Sequence, residues 1–286
     1  MPALSLHLLS LYPSITASTF LSELRKAAST KVIVASRPRR TIISPTLLDK
    51  RPLLTENWDI LLLLQPPNPR EPLFPPTLAS HIKTEYKIHV GIPSRLLSTY
   101  PERDAALKRE KNAQNVPLTG SLDGLKEKQA KNDGQNLEVS PELFEFMEEF
   151  TKVHDKPVTM LNLLHFHFPG GKEEYYKYGQ GFNPVAAKRG GSAKLVGNVI
   201  RPAAGPSAAA NSDSGFSDSR GRVDRPEEEW WNEISIVHYP SIRHFCDMLA
   251  AEDYQEVNRK YRLGALKDTF LLCTTEFDLE GEVAKL

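Results

Sequence analysis

"EEEWWNEISIVHYPSIRHF", Glu227 to Phe245, has a worn copy far upstream in "TENWDILLLLQPPN", Thr55 to Asn68, and whether the chain holds one unit twice decides its fold. Around the first stretch, "WWNEISIVHY" reads as a strand, and Ser241 is placed to cap a helix over "IRHFCDMLAA" whose Phe245, Met248 and Leu249 share a face. Before it, "PVTMLNLLHFHF" (Pro157 to Phe168) is strand-like. Gly170 to Gly191 is helix-like, ending in a Gly pair suited to left-handed capping, and "SAKLVGNVI" alternates as a strand. After it, Tyr254 to Leu266 is helical and "TFLLCTTEF" is a last strand. Strand, helix, strand, strand, helix, strand is the ferredoxin-like order, a four-stranded antiparallel sheet with both helices on one face.

The N-terminal half gives a similar order. "ALSLHLLSL" is a strand, Ser14 caps a helix with an apolar stripe of Phe20, Leu21, Leu24 and Ala28, and "KVIVASRPRRTII" and "WDILLLLQ" are strands. A short Pro-bounded helix around Leu78 to Lys83 leads into "YKIHVGI". Overlaying the halves puts His7 at Asn162, Trp58 at Trp231 and Asp59 at Asn232, so an internal duplication is expected. The expected organisation is a diverged unit at 1–100, a flexible linker at 101–139 and a second unit at 140–286 carrying a disordered insertion at 202–228. The linker is rich in Lys, Asn, Gln and Gly, and the insertion in Pro, Ala, Gly and Ser. Ser140 and Pro141 open a helix that docks Phe146, Met147 and Phe150.

Composition removes several function classes. Lys plus Arg equals Asp plus Glu at 36 each, so no whole-chain field favours nucleic acid or an anionic membrane. The longest apolar run, Ile60 to Leu64, is far below the roughly 20 residues a membrane helix requires. Cys246 and Cys273 sit among apolar neighbours and read as buried free thiols of a reducing, cytoplasmic compartment. Residues 1–48 have the basic, Ser- and Thr-rich composition of a transit peptide, but "ALSLHLLSL" falls where the repeat requires a strand.

A sheet apolar on both faces must cover the one its helices leave bare. Alternation puts Leu161 and Leu163 on one face of their strand and Met160, Asn162, Leu164 and Phe166 on the other. The fully apolar set, joined by Ile234 and Ile236, is expected to meet the helices, leaving Trp231, Glu233, Ser235 and Val237 on the bare face. Packing the units sheet to sheet then gives an α+β fold: tandem ferredoxin-like units forming an intrachain, pseudo-dimeric α+β barrel. "PVTMLNLLHF", "YYKY", "RGG", "WWNEISIVHYPS", "FCDMLAAEDYQ" and "YRLGALKDT" together resemble the family known as domain of unknown function 1330, in the dimeric α+β barrel superfamily, over about residues 157–277. The resemblance departs at Asn232, where the family usually has Asp, and at the 202–228 insertion. It implies a barrel that family members mostly build from two chains, in a superfamily holding cofactor-free monooxygenases, isomerases, haem enzymes and non-catalytic proteins.

Asn162, Glu233 and Ser235, with Trp231 as a wall, are the polar groups expected around a cavity between the sheets. There a desolvated Glu233 acts as a base, or pairs structurally with Arg262. Tyr178, Tyr254 and Arg262 supply hydroxyls and a guanidinium to orient a carbonyl or carboxylate, or else serve in packing. His165 and His167 share a side of their strand and His238 is expected nearby, but without a supporting carboxylate motif no metal is assigned. No Gly-rich phosphate loop, Gly-x-Ser-x-Gly elbow or activated cysteine is present. The expectation is a protein binding a small organic molecule between its sheets, with no cofactor, as an enzyme of monooxygenase or isomerase type. The alternative is a non-catalytic interaction module with a solid interior. The chain is expected as a monomer with pseudo-twofold symmetry or a weak homodimer.

Overall fold

The computed structural model describes residues 2–27, 30–66, 72–109, 116–123, 135–201 and 226–278. Strand β1 (Ala3–Leu11) lies between β3 (Ile60–Gln65) and β4 (Ile82–Gly91), and β3 continues to β2 (Lys31–Ile43), all antiparallel. Helix α1 (Ala17–Lys26) packs Phe20, Leu21 and Leu24 onto the outer face of this sheet. Its cap is Thr16, whose hydroxyl accepts from the Thr19 amide at 3.1 Å; Ser14, the expected cap, meets His81 Nδ1 instead at 3.0 Å. Short α2 (Arg51–Leu54) follows β2, and the unit's second helix is reduced to α3 (Pro76–Ala79).

Helix α4 (Ser94–Lys108) leaves the first unit, and α5 (Pro141–Val153), capped by Ser140 as expected, precedes the second. The second unit runs β5 (Val158–Phe166), α6 (Gly171–Ala187), β6 (Ser192–Val199), β7 (Glu233–Tyr239), α7 (Ile242–Ala250), α8 (Glu252–Val257), a π-helical turn (Asn258–Arg262), α9 (Leu263–Ala265) and β8 (Leu266–Glu276). The Gly pair ends α6 as its sequence requires: Gly190 has φ +69°, and a Cβ there would lie 2.4 Å from Pro240 Cγ.

The strand order is β4-β1-β3-β2 in one unit and β8-β5-β7-β6 in the other, and β2 joins β8 while β4 joins β6 to close an eight-stranded barrel. This is the tandem ferredoxin-like, intrachain α+β barrel. The seams are unequal. β2 and β8 pair from Ser36↔Glu276 to Ile43↔Leu271, whereas β4 and β6 pair at Val90↔Val199 and Gly91↔Asn198.

Equivalent positions carry equivalent bonds. The Asp59 amide donates to Leu9 O and the Asn232 amide to Leu164 O, each at 2.8 Å. Asp59 Oδ2 accepts from the Leu11 amide at 2.7 Å and Asn232 Oδ1 from the Phe166 amide at 2.8 Å. Both side chains thus hold the end of the neighbouring strand.

Three apolar cores follow from the barrel. Its interior is filled from both units by Leu4, Leu6, Leu8, Leu61, Leu63, Ile88, Leu161, Leu163, Ile234, Ile236 and Phe270. One outer core lies beneath α1, and the other beneath α5, α6 and α7. This inverts the expected faces: Leu161, Leu163, Ile234 and Ile236 point into the barrel, while Met160 and Val237 face the helices. A closed barrel interior is bounded by sheet on every side, so the set free of polar groups belongs there; each such buried Leu or Ile contributes roughly 1.5–3 kcal/mol.

The expected flexible linker at 101–139 is structured in its described parts. Residues 101–108 complete α4, whose Tyr100 joins the barrel core. The 116–123 segment rests on the second unit, where buried Asp247 accepts from the Thr119 amide (2.9 Å), the Thr119 hydroxyl (2.7 Å) and the Ser121 amide (3.0 Å). Leu137 and Val139 enter the core beneath α5 and α6. Residues 110–115 and 124–134, and 202–225 of the expected insertion, lie outside the described residues; 227–229 form a single 3-10 turn.

Candidate functional site

A cavity of about 370 Å³ lies between α6 and the outer face of the second sheet. Its floor follows from register: Leu271, Asn162, Ser235 and Val196 stand side by side across β8, β5, β7 and β6. Glu233, at the start of β7, lies one pleat further along, paired with Leu164 and Asn198. Helix α6 supplies Lys172, Tyr175, Tyr178, Gly179 and Phe182, and Tyr239, Phe245, Met248 and Arg262 complete the walls. The lining is mostly apolar with a few polar groups, as in small-molecule sites.

Of the residues singled out from the sequence, Asn162, Glu233, Ser235, Tyr178 and Arg262 line this one cavity. Its position corrects the expected one, being between sheet and helix rather than between the sheets. Trp231 is 3% exposed in the barrel core and is no wall of the site. The alternation that placed it beside Glu233 does not extend back past β7, because Asn232 is tied to Phe166 at the strand's edge. Tyr254 is fully buried behind Tyr178, their hydroxyls 3.3 Å apart.

Burial raises the Glu233 carboxyl to about 7, against the opposing pull of Lys172, whose ammonium is held by Asn198 at 2.9 Å. Near neutral pH such a carboxyl is divided between acid and base, the condition under which proton transfer in either direction is most effective. The expected pairing of Glu233 with Arg262 is not formed. Arg262, 2% exposed at the end of the π turn, donates to Gln135 O at 3.2 Å and Thr269 Oγ1 at 3.4 Å. The Asn162 amide makes one long bond, to Met160 O at 3.4 Å. Burial lifts the Tyr175, Tyr178 and Tyr254 hydroxyls above their usual range, so they are neutral donors.

The histidines do not gather. His165 Nδ1 meets Asn232 Oδ1 at 3.3 Å, while His238 pairs with Thr159 at the opposite end of β5, where burial drops it to about 3. Among the described residues no group of three metal-ligating side chains forms. Both cysteines are buried, and burial raises both thiols.

Two arrangements escaped sequence reasoning. Ser5, His7 and Glu85 form a hydrogen-bonded chain, Ser5 Oγ to His7 Nε2 and His7 Nδ1 to Glu85 Oε1, both 2.6 Å. Phe74 packs edge-on to His7 at 5.4 Å and Ser5 is 2% exposed, so the hydroxyl is closed to substrate. The Ser-x-His spacing on β1 was the available signal; its partner Glu85 lies on another strand. The second arrangement joins Lys194, Glu276, Asp104 and Lys108 in alternating ion pairs that fasten α4 to the barrel. Its one local mark is the spacing of four between Asp104 and Lys108; Lys194 and Glu276 lie on other elements.

No family model matches the chain, and no curated protein does. Among solved structures, a protein of unknown function from Rhodopseudomonas palustris is 24% identical over 49% of this chain and 95% of its own (TM-score 0.33). A protein described as a candidate monooxygenase from Lactobacillus acidophilus NCFM is 8% identical over 96% and 93% (TM-score 0.45), and an anthrone oxidase-like protein is 9% identical over 99% and 95% (TM-score 0.41). At these scores the likenesses say nothing of this chain's chemistry. No helix among the described residues is long and apolar enough to cross a membrane.

Proposed function

We propose that the chain binds a small, largely apolar organic molecule in the cavity beneath α6 and that Glu233 acts there as a general base. The observation that carries this reading is a mostly apolar cavity lined by a carboxyl that burial raises to about 7 and that makes no ion pair with Arg262 on the same cavity. The step is a proton transfer: a C–H bond next to a carbonyl breaks, the proton passes to Glu233, and the electron pair remains on the substrate as an enolate. Returning the proton to another atom gives an isomerisation, and addition of molecular oxygen to the enolate carbon gives a peroxide that takes the proton back and loses water to leave a new carbonyl, a cofactor-free oxygenation. The Tyr175 and Tyr178 hydroxyls and the Asn162 amide are the donors for the carbonyl oxygen. The matched bonds of Asp59 and Asn232 support an origin of the two units by duplication. A monomeric protein of the cytoplasm completes the proposal.

The test is deuterium uptake into 2-tetralone in D₂O. Uptake above the buffer rate, rising with pH through about 7 and lost in Glu233→Gln, is the expected result. Equal uptake with Glu233→Gln sinks the assignment of the base. The filled barrel interior favours one other reading, a non-catalytic interaction module, which an absence of any uptake would bring forward.

A further inference from the structure

Arg262 is buried at 2% exposure, yet its guanidinium bonds only neutral acceptors, the Gln135 carbonyl and the Thr269 hydroxyl. Among the described residues no carboxylate pairs with it, and the cation acting on Glu233, in the same cavity, is Lys172. A cation withdrawn from water ordinarily keeps an anion, because the lost hydration must be replaced. A guanidinium has five N–H groups, of which these two bonds use two, so donors remain for a ligand. The neighbouring walls are aromatic, with Tyr175, Phe182 and Tyr239 on the cavity.

We propose that the cavity takes a small aromatic monocarboxylate, its ring against these aromatic walls and its carboxylate on Arg262. The inference rests on the cavity being a binding site and names the class of molecule. One buried cation balances one negative charge; a phosphate monoester, carrying about −1.5 to −2 at neutral pH, leaves part of its charge uncompensated. The volume of about 370 Å³ lies within the range of small-molecule sites.

The experiment is isothermal titration of the full chain with 1-naphthoate and with its neutral counterpart 1-naphthamide. The carboxylate is expected to bind more tightly by about tenfold or more, a preference lost in Arg262→Gln and kept in Lys172→Gln. Gly179→Leu is expected to weaken both compounds, because Gly179 lines the cavity and a Cβ there meets nothing within 4 Å. Should Arg262→Gln fail to fold, the Arg262 Nε–H resonance of the unaltered chain gives the answer: naphthoate moves it and naphthamide leaves it in place. Equal affinity for the two compounds, or a preference removed by Lys172→Gln instead, overturns the anion assignment and leaves the cavity standing. Binding of neither compound overturns both.

Discussion

Folding moves the Glu233 carboxyl from its usual 4.5 to about 7, and the direction fixes how stability depends on pH. A carboxyl raised on folding favours the native state fully below its unfolded value and loses that contribution as pH climbs through the folded one. Glu233→Gln is therefore expected to raise the unfolding free energy from urea titration at pH 8, by up to about 2 kcal/mol, and to change it little at pH 4. Equal gains at both pH values would trace the effect to packing rather than ionisation. The Lys194 cluster behaves oppositely. Glu276→Gln removes one of the two carboxylates that Lys194 and Lys108 share, leaving both on Asp104, and is expected to cost about 1–3 kcal/mol, whereas removing Lys194 and Glu276 together, as Met and Leu, returns much of it. Denaturant titration of the single and double variants separates these outcomes.

At the scale of elements, Asp59 and Asn232 each tie the end of a neighbouring strand. Replacing either by Ala is expected to cost about 1–3 kcal/mol, with faster amide exchange at Leu11 or Phe166 respectively. An unchanged exchange rate at the partner amide would remove that role. The strands themselves were legible: β1 and β2 cover the stretches "ALSLHLLSL" and "KVIVASRPRRTII" that the sequence marks as strands. Which side of β5 faces which neighbour was not. Alternation distinguishes two faces but does not say what covers each, and the pure apolar set suited barrel interior and helix interface alike until closure was known. Asn162, Glu233 and Ser235 share a cavity because one pleat parity relates them, whereas Trp231 lies outside the strand that carries that parity and joins the barrel core. Arg262 was found as a residue, but its lack of a carboxylate partner is a three-dimensional fact. The 101–108 segment was hidden by its charges, since Asp104 and Lys108 are spent on barrel partners rather than on water.

For the whole molecule, the two seams predict where the barrel opens. The β4–β6 seam, paired at Val90↔Val199 and Gly91↔Asn198, is expected to exchange its amide hydrogens before the longer β2–β8 seam, read by hydrogen exchange with mass analysis. Simultaneous exchange at both would make the barrel a single opening unit. Closure within one chain has a further effect. Ring formation here is a first-order event, set by the tether between the units and not by how much protein is present, so dilution does not open it. A ring of two identical chains must present the same outer face twice. This one need not: His7, fully buried against Phe74, fills in the first unit the place that Asn162 holds on the floor of the second unit's cavity. Two tethered units of different sequence leave the two flanks free to differ.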